Sequence, residues 1–294
     1  MGRQIRLGEK TVGEGCNPYF IAEIGINHNG DIGVAKRLID ASFAIGWDCV
    51  KFQKRTPDIA VPESQKNVMR STPWGEMTYL EYKKRIEFGK EEYDYINKYC
   101  KEKPISWTES PWDIPSLEFL LNYDIPFIKL ASATNGSTEL IKKACASGKP
   151  IIMSTGMSTQ EELDKAVDLL ERFSNGNYAL LHTNSVYPAP IDELNLKYIQ
   201  TLKNRYGCVV GYSGHEQNLE PTVAAVTLGA DIVERHVTLS HDMWGTDQKA
   251  SLEINAMYLL YRRCRDIKLM LGDGEKKLEE DELQVRKKLR VEEK

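Results

Sequence analysis

Five histidines, His28, His182, His215, His236 and His241, each fall at the end of a strand-like apolar run or in the loop just after it. A histidine needed only for packing could sit on any helix face. Confinement to one end of successive strands is the arrangement of a (β/α) barrel, whose chemistry gathers at the carboxyl ends of its strands. His215 and His236 close two consecutive runs, in GYSGHE and ERHVT. Neighbouring strands lie about 4.8 Å apart, so these two imidazoles can converge on one divalent ion and leave the rest of its shell to water and substrate oxygens. No thiolate stands nearby, so Mn²⁺, Mg²⁺, Co²⁺ or Fe²⁺ suits the pair better than a structural zinc. A role without metal stays open for the pair, and a hydrogen-bonded structural role is the expectation for His28, His182 and His241.

The same strand ends carry lysines and hydroxyls. Lys51 and Gln53 end one run in VKFQ, and Lys129 and Ser132 end another in IKLAS. Ser110, Ser154, Asn184 with Ser185, and Ser213 occupy equivalent places. A lysine flanked by apolar residues is costly to bury unless it meets an anion. Two of them ringed by hydroxyls and backbone amides make a phosphate or carboxylate site; structural pairing with glutamates is the competing explanation. Glu23, inside the first strand, and Asp247, beyond the eighth, are carboxylates placed to orient sugar hydroxyls or move a proton, although Glu23 could equally pair with Lys51 or Lys129. No G-x-S-x-G elbow and no Walker A loop occurs.

The elements that must position these residues follow from periodicity. Strands are expected at 20–26, 49–53, 105–108, 127–130, 151–153, 178–181, 209–212 and 231–234. Helical spacing over 32–45 and 160–173 alternates with them. About eight βα units in 294 residues predict an α/β fold, a (β/α)8 TIM barrel. An open doubly wound sheet is weakened by the lack of G-x-G-x-x-G after the first strand. Residues 1–18 read as an amino-terminal hairpin able to plug the barrel, 19–275 as the catalytic barrel, and 276–294 as a charged tail or helix. The interval between the second and third strands is too long for a plain connection, so 56–82 is a candidate lid on the functional face. Its Trp74 and Met77 could cover a substrate and Arg70 could donate to it.

Net charge of −4 argues against nucleic acid as the main partner. Six scattered cysteines with no CxxC pair read as reduced thiols of a cytoplasmic protein. MGRQIRLGEK lacks the apolar core of a secretory signal, and no run of about 18 apolar residues predicts a membrane helix.

Taken in order from about residue 18 to 290, the segments FIAEIGINHNGD, VKFQK, FIKLAS, PIIMSTGMST, YALLHTNSVYP, GYSGHE, ERHVTL and GTDQKASLE resemble the catalytic barrel of the N-acetylneuraminate (sialic acid) synthase family. The resemblance implies condensation of phosphoenolpyruvate with an N-acylated amino sugar, N-acetylmannosamine or a related one, to a nonulosonic acid with release of phosphate. It implies that Lys51, Ser110, Lys129, Ser132, Ser154 and Ser213 hold phosphoenolpyruvate, with Gln53 and Ser185 beside them. His215 and His236 fall on metal ligands, and Glu23, Tyr187 and Asp247 fall near the acceptor. A homodimer is implied as well. Three departures stand out. Thr134 occupies the place of a frequent glutamate. Ser185, with Asn184 one step earlier, replaces the usual asparagine before the Tyr-Pro pair. The sequence also stops at Lys294, where typical members continue into an antifreeze-like domain that reaches the partner's acceptor with an arginine. Another phosphoenolpyruvate aldol-type synthase of 3-deoxy sugar acids and a non-catalytic binding barrel are the alternatives.

Overall fold

The computed structural model describes residues 4–291. An antiparallel hairpin, β1 (Gln4–Leu7) and β2 (Lys10–Gly13), precedes the first barrel strands, β3 (Tyr19–Gly25) and β4 (Cys49–Lys54). A second hairpin, β5 (Met69–Thr72) and β6 (Gly75–Thr78), lies within the long interval. The barrel continues with β7 (Ser106–Pro111), β8 (Ile128–Leu130), β9 (Ile151–Ser154), β10 (Tyr178–Thr183), β11 (Val209–Gly214) and β12 (Ile232–Thr238). The short β13 (Leu252–Glu253) pairs in parallel with the end of β12. The sheet order is β7-β4-β3-β12-β11-β10-β9-β8, parallel throughout. β7 and β8 meet at the remaining seam, where the Thr108 hydroxyl donates to the Phe127 carbonyl at 2.7 Å. The fold is the expected TIM barrel.

Alternation along each strand sorts the residues into two cores. One face of the strands, with Phe20, Val50, Trp107, Leu130, Met153, Leu180, Val210 and Val233, packs against the surrounding helices. The other face fills the barrel interior. At its amino-terminal end Tyr19, Ile21, Cys49, Phe127, Ile152, Ala179, Leu181, Val209 and Ile232 form one buried cluster with Ile5, Leu7 and Val12 of the first hairpin. The hairpin therefore plugs that end. Space there is tight: a Cβ on Gly211 would stand 2.5 Å from the Ile232 carbonyl oxygen and 2.6 Å from Leu181 Cδ2.

Helix 160–173 forms as its sequence requires. Thr159 caps it, accepting from the Glu162 amide, while the Glu162 carboxylate accepts from the Thr159 amide. Several strands run further than their apolar stretches predict. β7 reaches Pro111, β10 Thr183, β11 Gly214 and β12 Thr238. The added residues are largely polar, and alternate ones, Ser110, Thr183, Ser213 and His236, line the barrel mouth, so an apolar run alone could not reveal them.

The interval 56–82 is ordered into short helices Pro57–Ala60 and Glu63–Lys66, the β5–β6 hairpin, and the start of helix Tyr79–Ile86. It docks on the loop after β12. Trp74 and Tyr82 meet Trp244 edge-on at 5.7 and 4.9 Å, and Met77 packs on the small cluster of Ile26, Tyr82 and Ile86. The helix Glu280–Leu289 near the carboxyl end is exposed along its length; residues 1–3 and 292–294 of the expected hairpin and tail segments lie outside the described residues. Among the described residues no helix is long and apolar enough to cross a membrane.

If the hairpin is a structural plug, Leu7→Ala, at a side chain only 1% exposed, should destabilise the fold by about 2–5 kcal/mol. Denaturant unfolding measures this. A loss near zero would show that the hairpin merely rests on the barrel.

Candidate active site

The inward residues change character midway up the barrel. Above the apolar layer stand Glu23 of β3, Lys51 of β4, Lys129 of β8 and Glu234 of β12, all at most 5% exposed. Register sets this: Glu23 pairs with Lys51 across β3–β4, and Glu234 with Ser213 across β11–β12. Lys51 Nζ lies 2.6 Å from Glu23 Oε2 and 3.8 Å from Glu234 Oε2, while Lys129 Nζ lies 3.7 Å from Glu234 Oε1. The anions expected for the two lysines are thus supplied by the protein itself, two charges against two.

Burial shapes the titration of each. It pushes the Glu23 carboxyl up to about 7 against the pull of Lys51, with Glu234 adding to the rise. Burial likewise lowers Lys129 to about 8, only partly offset by Glu234 and reinforced by Lys51. Burial also opposes ionisation of Glu234 and Lys51, but their opposite-charge neighbours prevail. Lys129 and Lys51 hold Glu234 below the ordinary carboxylate range, and Glu23 and Glu234 hold Lys51 above the usual lysine value.

Hydroxyls complete the ring. Lys51 donates to Ser110 at 2.9 Å and Lys129 to Ser154 at 2.6 Å; Ser213 donates to Glu234 at 3.0 Å. Ser132 and Ser185 stand above Gly156, where a Cβ would fall 2.8 and 2.3 Å from their hydroxyl oxygens. The glycine leaves open a cradle that a methyl group would fill. These residues line one cavity of about 200 Å³ with Gln53, Trp112, Thr183 and Tyr187. That is below the ~300–1,000 Å³ of pockets for drug-sized ligands, so one small molecule fits deep and a second must extend through the mouth. A larger void of about 720 Å³ lies at the opposite end beside the first hairpin. Its lining lysines include Lys10 and Lys149, paired with Asp48 and Asp124, and it gathers no comparable buried charge.

His215 and His236 line the same cavity, their ring centroids 5.4 Å apart. Burial, aided by His236, drives His215 down to about 3, and burial takes His236 to about 4 although Asp247 opposes it. Both rings are neutral near pH 7, as metal ligands must be. His215 Nδ1 lies 2.6 Å from the Asn184 carbonyl, which can only accept. Nδ1 therefore carries the proton, Nε2 keeps its lone pair, and the Tyr187 hydroxyl donates to it at 2.9 Å. His236 Nδ1 is buried without a partner. One lone pair under a displaceable hydroxyl and one orphaned ring nitrogen fit an open divalent-metal site. Among the described residues no group of three His, Cys, Asp or Glu gathers as a metal cage, so water and substrate would complete the shell.

The other expected residues fall as follows. Gln53 donates to Glu23 at 3.0 Å. Tyr187, 41% exposed, stacks on His215 with centroids 4.0 Å apart. Asp247 does not line the cavity, but it stands at the rim, close enough to act on His236. Thr134 turns away, its hydroxyl donating to the Ala131 carbonyl at 2.8 Å, so the carboxylates lining the cavity are Glu23 and Glu234. His28 stacks on Phe88, His182 binds the Leu194 carbonyl and His241 the Ser251 carbonyl; none of the three lines the cavity. Sequence reasoning missed Glu234, Trp112 and Arg55. For Glu234 the signal was available: it lies two residues before His236 and hence on the same face of β12.

Residues 38–276 match the model of the NeuB family. The chain is 38% identical over 254 residues to the N-acetylneuraminate-9-phosphate synthase of Drosophila melanogaster, covering 85% of this chain and 68% of that one. It is 35% identical over 269 residues to the N,N'-diacetyllegionaminic acid synthase of Campylobacter jejuni, covering 90% and 80%. The fold superposes on the N-acetylneuraminic acid (sialic acid) synthetase of Leptospira borgpetersenii with a TM-score of 0.87, 29% identity and 99% coverage of both chains. The chain belongs to the NeuB family, as a barrel enzyme of the sialic acid synthase type.

Proposed function

We propose that this enzyme condenses phosphoenolpyruvate with the open-chain form of an N-acylated amino sugar, giving a nonulosonic acid and phosphate. The observation that carries this reading is the opposition, within one small cavity, of two buried lysines ringed by hydroxyls and two neutral histidines. The lysine and serine side is suited to the carboxylate and phosphate of phosphoenolpyruvate, with the Gly156 cradle open to an oxygen-rich group. His215 and His236 would hold a divalent ion, which supplies polarisation of the sugar's carbonyl.

In the reaction, the enol carbon of phosphoenolpyruvate forms a bond to the aldehyde carbon, and the aldehyde oxygen gains a proton. Glu23, pushed up to about 7 by burial, exchanges a proton readily near neutral pH, and its protonated form, favoured once the phosphoenolpyruvate anion is bound, can give the proton there. Positive charge grows on the carbon that bears the phosphate ester, beside the negative side chain of Glu234. Water adds at that carbon; as the carbon–oxygen bond to phosphate breaks and the added oxygen becomes the ketone, one of the water's protons leaves with phosphate and the other returns to Glu23. Lys51, Lys129 and the serines keep the two reactants in register, a positioning effect worth up to about 7–11 kcal/mol.

Phosphate release from phosphoenolpyruvate should depend on an acceptor, with N-acetylmannosamine and diacetamido-trideoxy sugars as the first set, and mass spectrometry should find the summed product. His215→Ala and His236→Ala should each abolish divalent-ion-dependent release while leaving the circular dichroism spectrum unchanged. Full activity of either variant in chelator would remove the metal from the reading, and no consumption of phosphoenolpyruvate with any sugar would remove the reaction.

A second expectation concerns pH. Lys129 loses its charge as pH rises through about 8 in the unliganded site, and an anion binds the charged form better. Glu23 ionises through about 7 and also disfavours an anion as it does so, so calorimetric affinity for phosphoenolpyruvate should fall as pH rises through 7 and fall further above pH 8. Lys129→Met should bind more weakly throughout and lose the part of that slope above pH 8. An unchanged slope in the variant would assign it to another group.

A further inference from the structure

Two cations, Arg55 and Lys83, stand beside the cavity with no carboxylate among the described residues in ion-pair contact with either. Arg55 follows β4 and is 8% exposed. Its guanidinium lies over the Trp112 ring at 4.1 Å, Nη2 bonds the Gln53 side-chain oxygen, and Nη1 is buried without any partner. Lys83, on helix Tyr79–Ile86, is also 8% exposed. Its ammonium faces two rings, Tyr79 at 5.2 Å and Tyr82 at 5.0 Å. Of the carboxylates nearby, Glu87 binds Lys54 Nζ and the Arg55 amide and Asp58 binds Lys84, while Asp247 at the rim acts on Lys83 from beyond ion-pair distance. Arg70, over Tyr79 at 5.2 Å, adds a third positive charge at the rim. Burial and the charge of Arg55 together press Lys83 down to about 8. Two buried cations side by side are an unfavourable arrangement unless something anionic joins them.

Their position ties them to the cavity. Gln53 and Trp112, the two side chains that hold Arg55, both line it, and Gln53 also binds Glu23. The charge of Arg55 is felt at Tyr187, on the histidine side of the mouth, and at Tyr82, in the insertion. A molecule with its reactive end beside His215 and Glu23 outgrows the deep cavity. Its far end would leave past Gln53 and Trp112, toward Arg55 and Lys83.

We propose that Arg55 and Lys83 form a second anion site, which takes a phosphate ester at the far end of the acceptor, so that the preferred acceptor is a phosphorylated amino sugar. Charge count favours phosphate over a neutral acyl group. A phosphomonoester is close to a dianion at neutral pH, matching two cations, and its oxygens suit the fork of an arginine and the point charge of a lysine. The inference rests on the condensation proposed above, and it deepens that reading by naming the acceptor class. Among the relatives, one name specifies a 9-phosphate product and another specifies none, so the family spans both chemistries. Supply of this acceptor would require a phosphoryl transfer to the terminal hydroxyl of the amino sugar.

The test compares N-acetylmannosamine with its 6-phosphate at saturating phosphoenolpyruvate and Mn²⁺. The wild-type enzyme should favour the phosphate ester by about 10- to 100-fold in kcat/KM, the range expected of charged hydrogen bonds. Lys83→Gln and Arg55→Met should each reduce that preference, chiefly through KM, and Lys83→Arg should retain most of it. Because Arg55 also stacks on Trp112, thermal melting accompanies its variant, and Lys83→Gln decides the matter if Arg55→Met fails to fold. In parallel, calorimetry with the 6-phosphate of N-acetylmannosaminitol, a reduced sugar that cannot react, should give binding that Lys83→Gln weakens while phosphoenolpyruvate affinity stays unchanged. Equal use of the two sugars by the wild-type enzyme, or a preference that survives Lys83→Gln, overturns the second anion site. If no sugar releases phosphate from phosphoenolpyruvate, the condensation itself fails, and binding of the reduced sugar phosphate still judges the site on its own.

Discussion

Four charges buried at one level of the barrel, Glu23, Lys51, Lys129 and Glu234, cancel one another, and the surrounding structure serves to keep them so. Removing one partner of a buried pair leaves an uncompensated charge and typically costs about 3–5 kcal/mol. Below them, the first hairpin seals the barrel with Ile5, Leu7 and Val12, which keeps water from entering by the amino-terminal end. Above them stand the serines and histidines. Balance also prepares the site for an anion. A pair of lysines left alone would repel each other and shed a proton; with Glu23 and Glu234 present, Lys51 keeps its charge. An arriving anion competes for the lysines, and the carboxyl already pushed toward neutrality, Glu23, is the one able to relieve the excess charge by taking a proton.

A second buried pair works behind the histidines. Arg235 is fully buried on the helix-facing side of β12 and lies 2.9 Å from Glu216. It also donates to Thr222 at 2.8 Å and to the Asn218 carbonyl at 3.2 Å. Glu216 follows His215, and Arg235 precedes His236. The ion pair therefore ties together the residues adjoining the two imidazoles, while alternation along β12 sends His236 inward and Arg235 outward. The spacing of the imidazoles is thus fixed from outside the barrel, where no substrate competes for the charges that fix it.

Alternation also explains how much of the molecule was legible in its sequence. The eight strands, helices 32–45 and 160–173, and the plugging hairpin follow from apolar periodicity, which reports burial against a continuous surface. Most of the cavity follows from polar residues placed at strand ends. Periodicity of apolar residues fails where strands continue as polar ones. Glu234 was passed over because a glutamate between Val233 and Arg235 looks like the end of a strand, although β12 extends to Thr238. His182 and Glu109 illustrate the converse: each belongs to a strand end, yet each occupies the helix-facing register, and burial holds the Glu109 carboxyl well above its ordinary range. Arg55 could not have been found this way. Its importance comes from Trp112, on a different loop, and from an insertion whose path no local pattern specifies.

The insertion differs physically from the barrel it covers. The charged layer is locked by eight strands and two buried cores, whereas residues 56–82 are held by a small cluster around Ile26, Tyr82 and Ile86 and by ring contacts to Trp244. Segments with so few buried contacts open at low free-energy cost, and covering elements of this kind commonly gate access. Arg70 lies in this insertion and Lys83 on the helix Tyr79–Ile86 that leads out of it, whereas Lys51 and Lys129 stand on barrel strands. Changes in the insertion can therefore alter what sits at the mouth while leaving the register that places Glu23 beside Lys51 untouched. Such a division lets one barrel keep a single carbon–carbon bond-forming chemistry and accept different sugars, which matches the range of products named among its relatives.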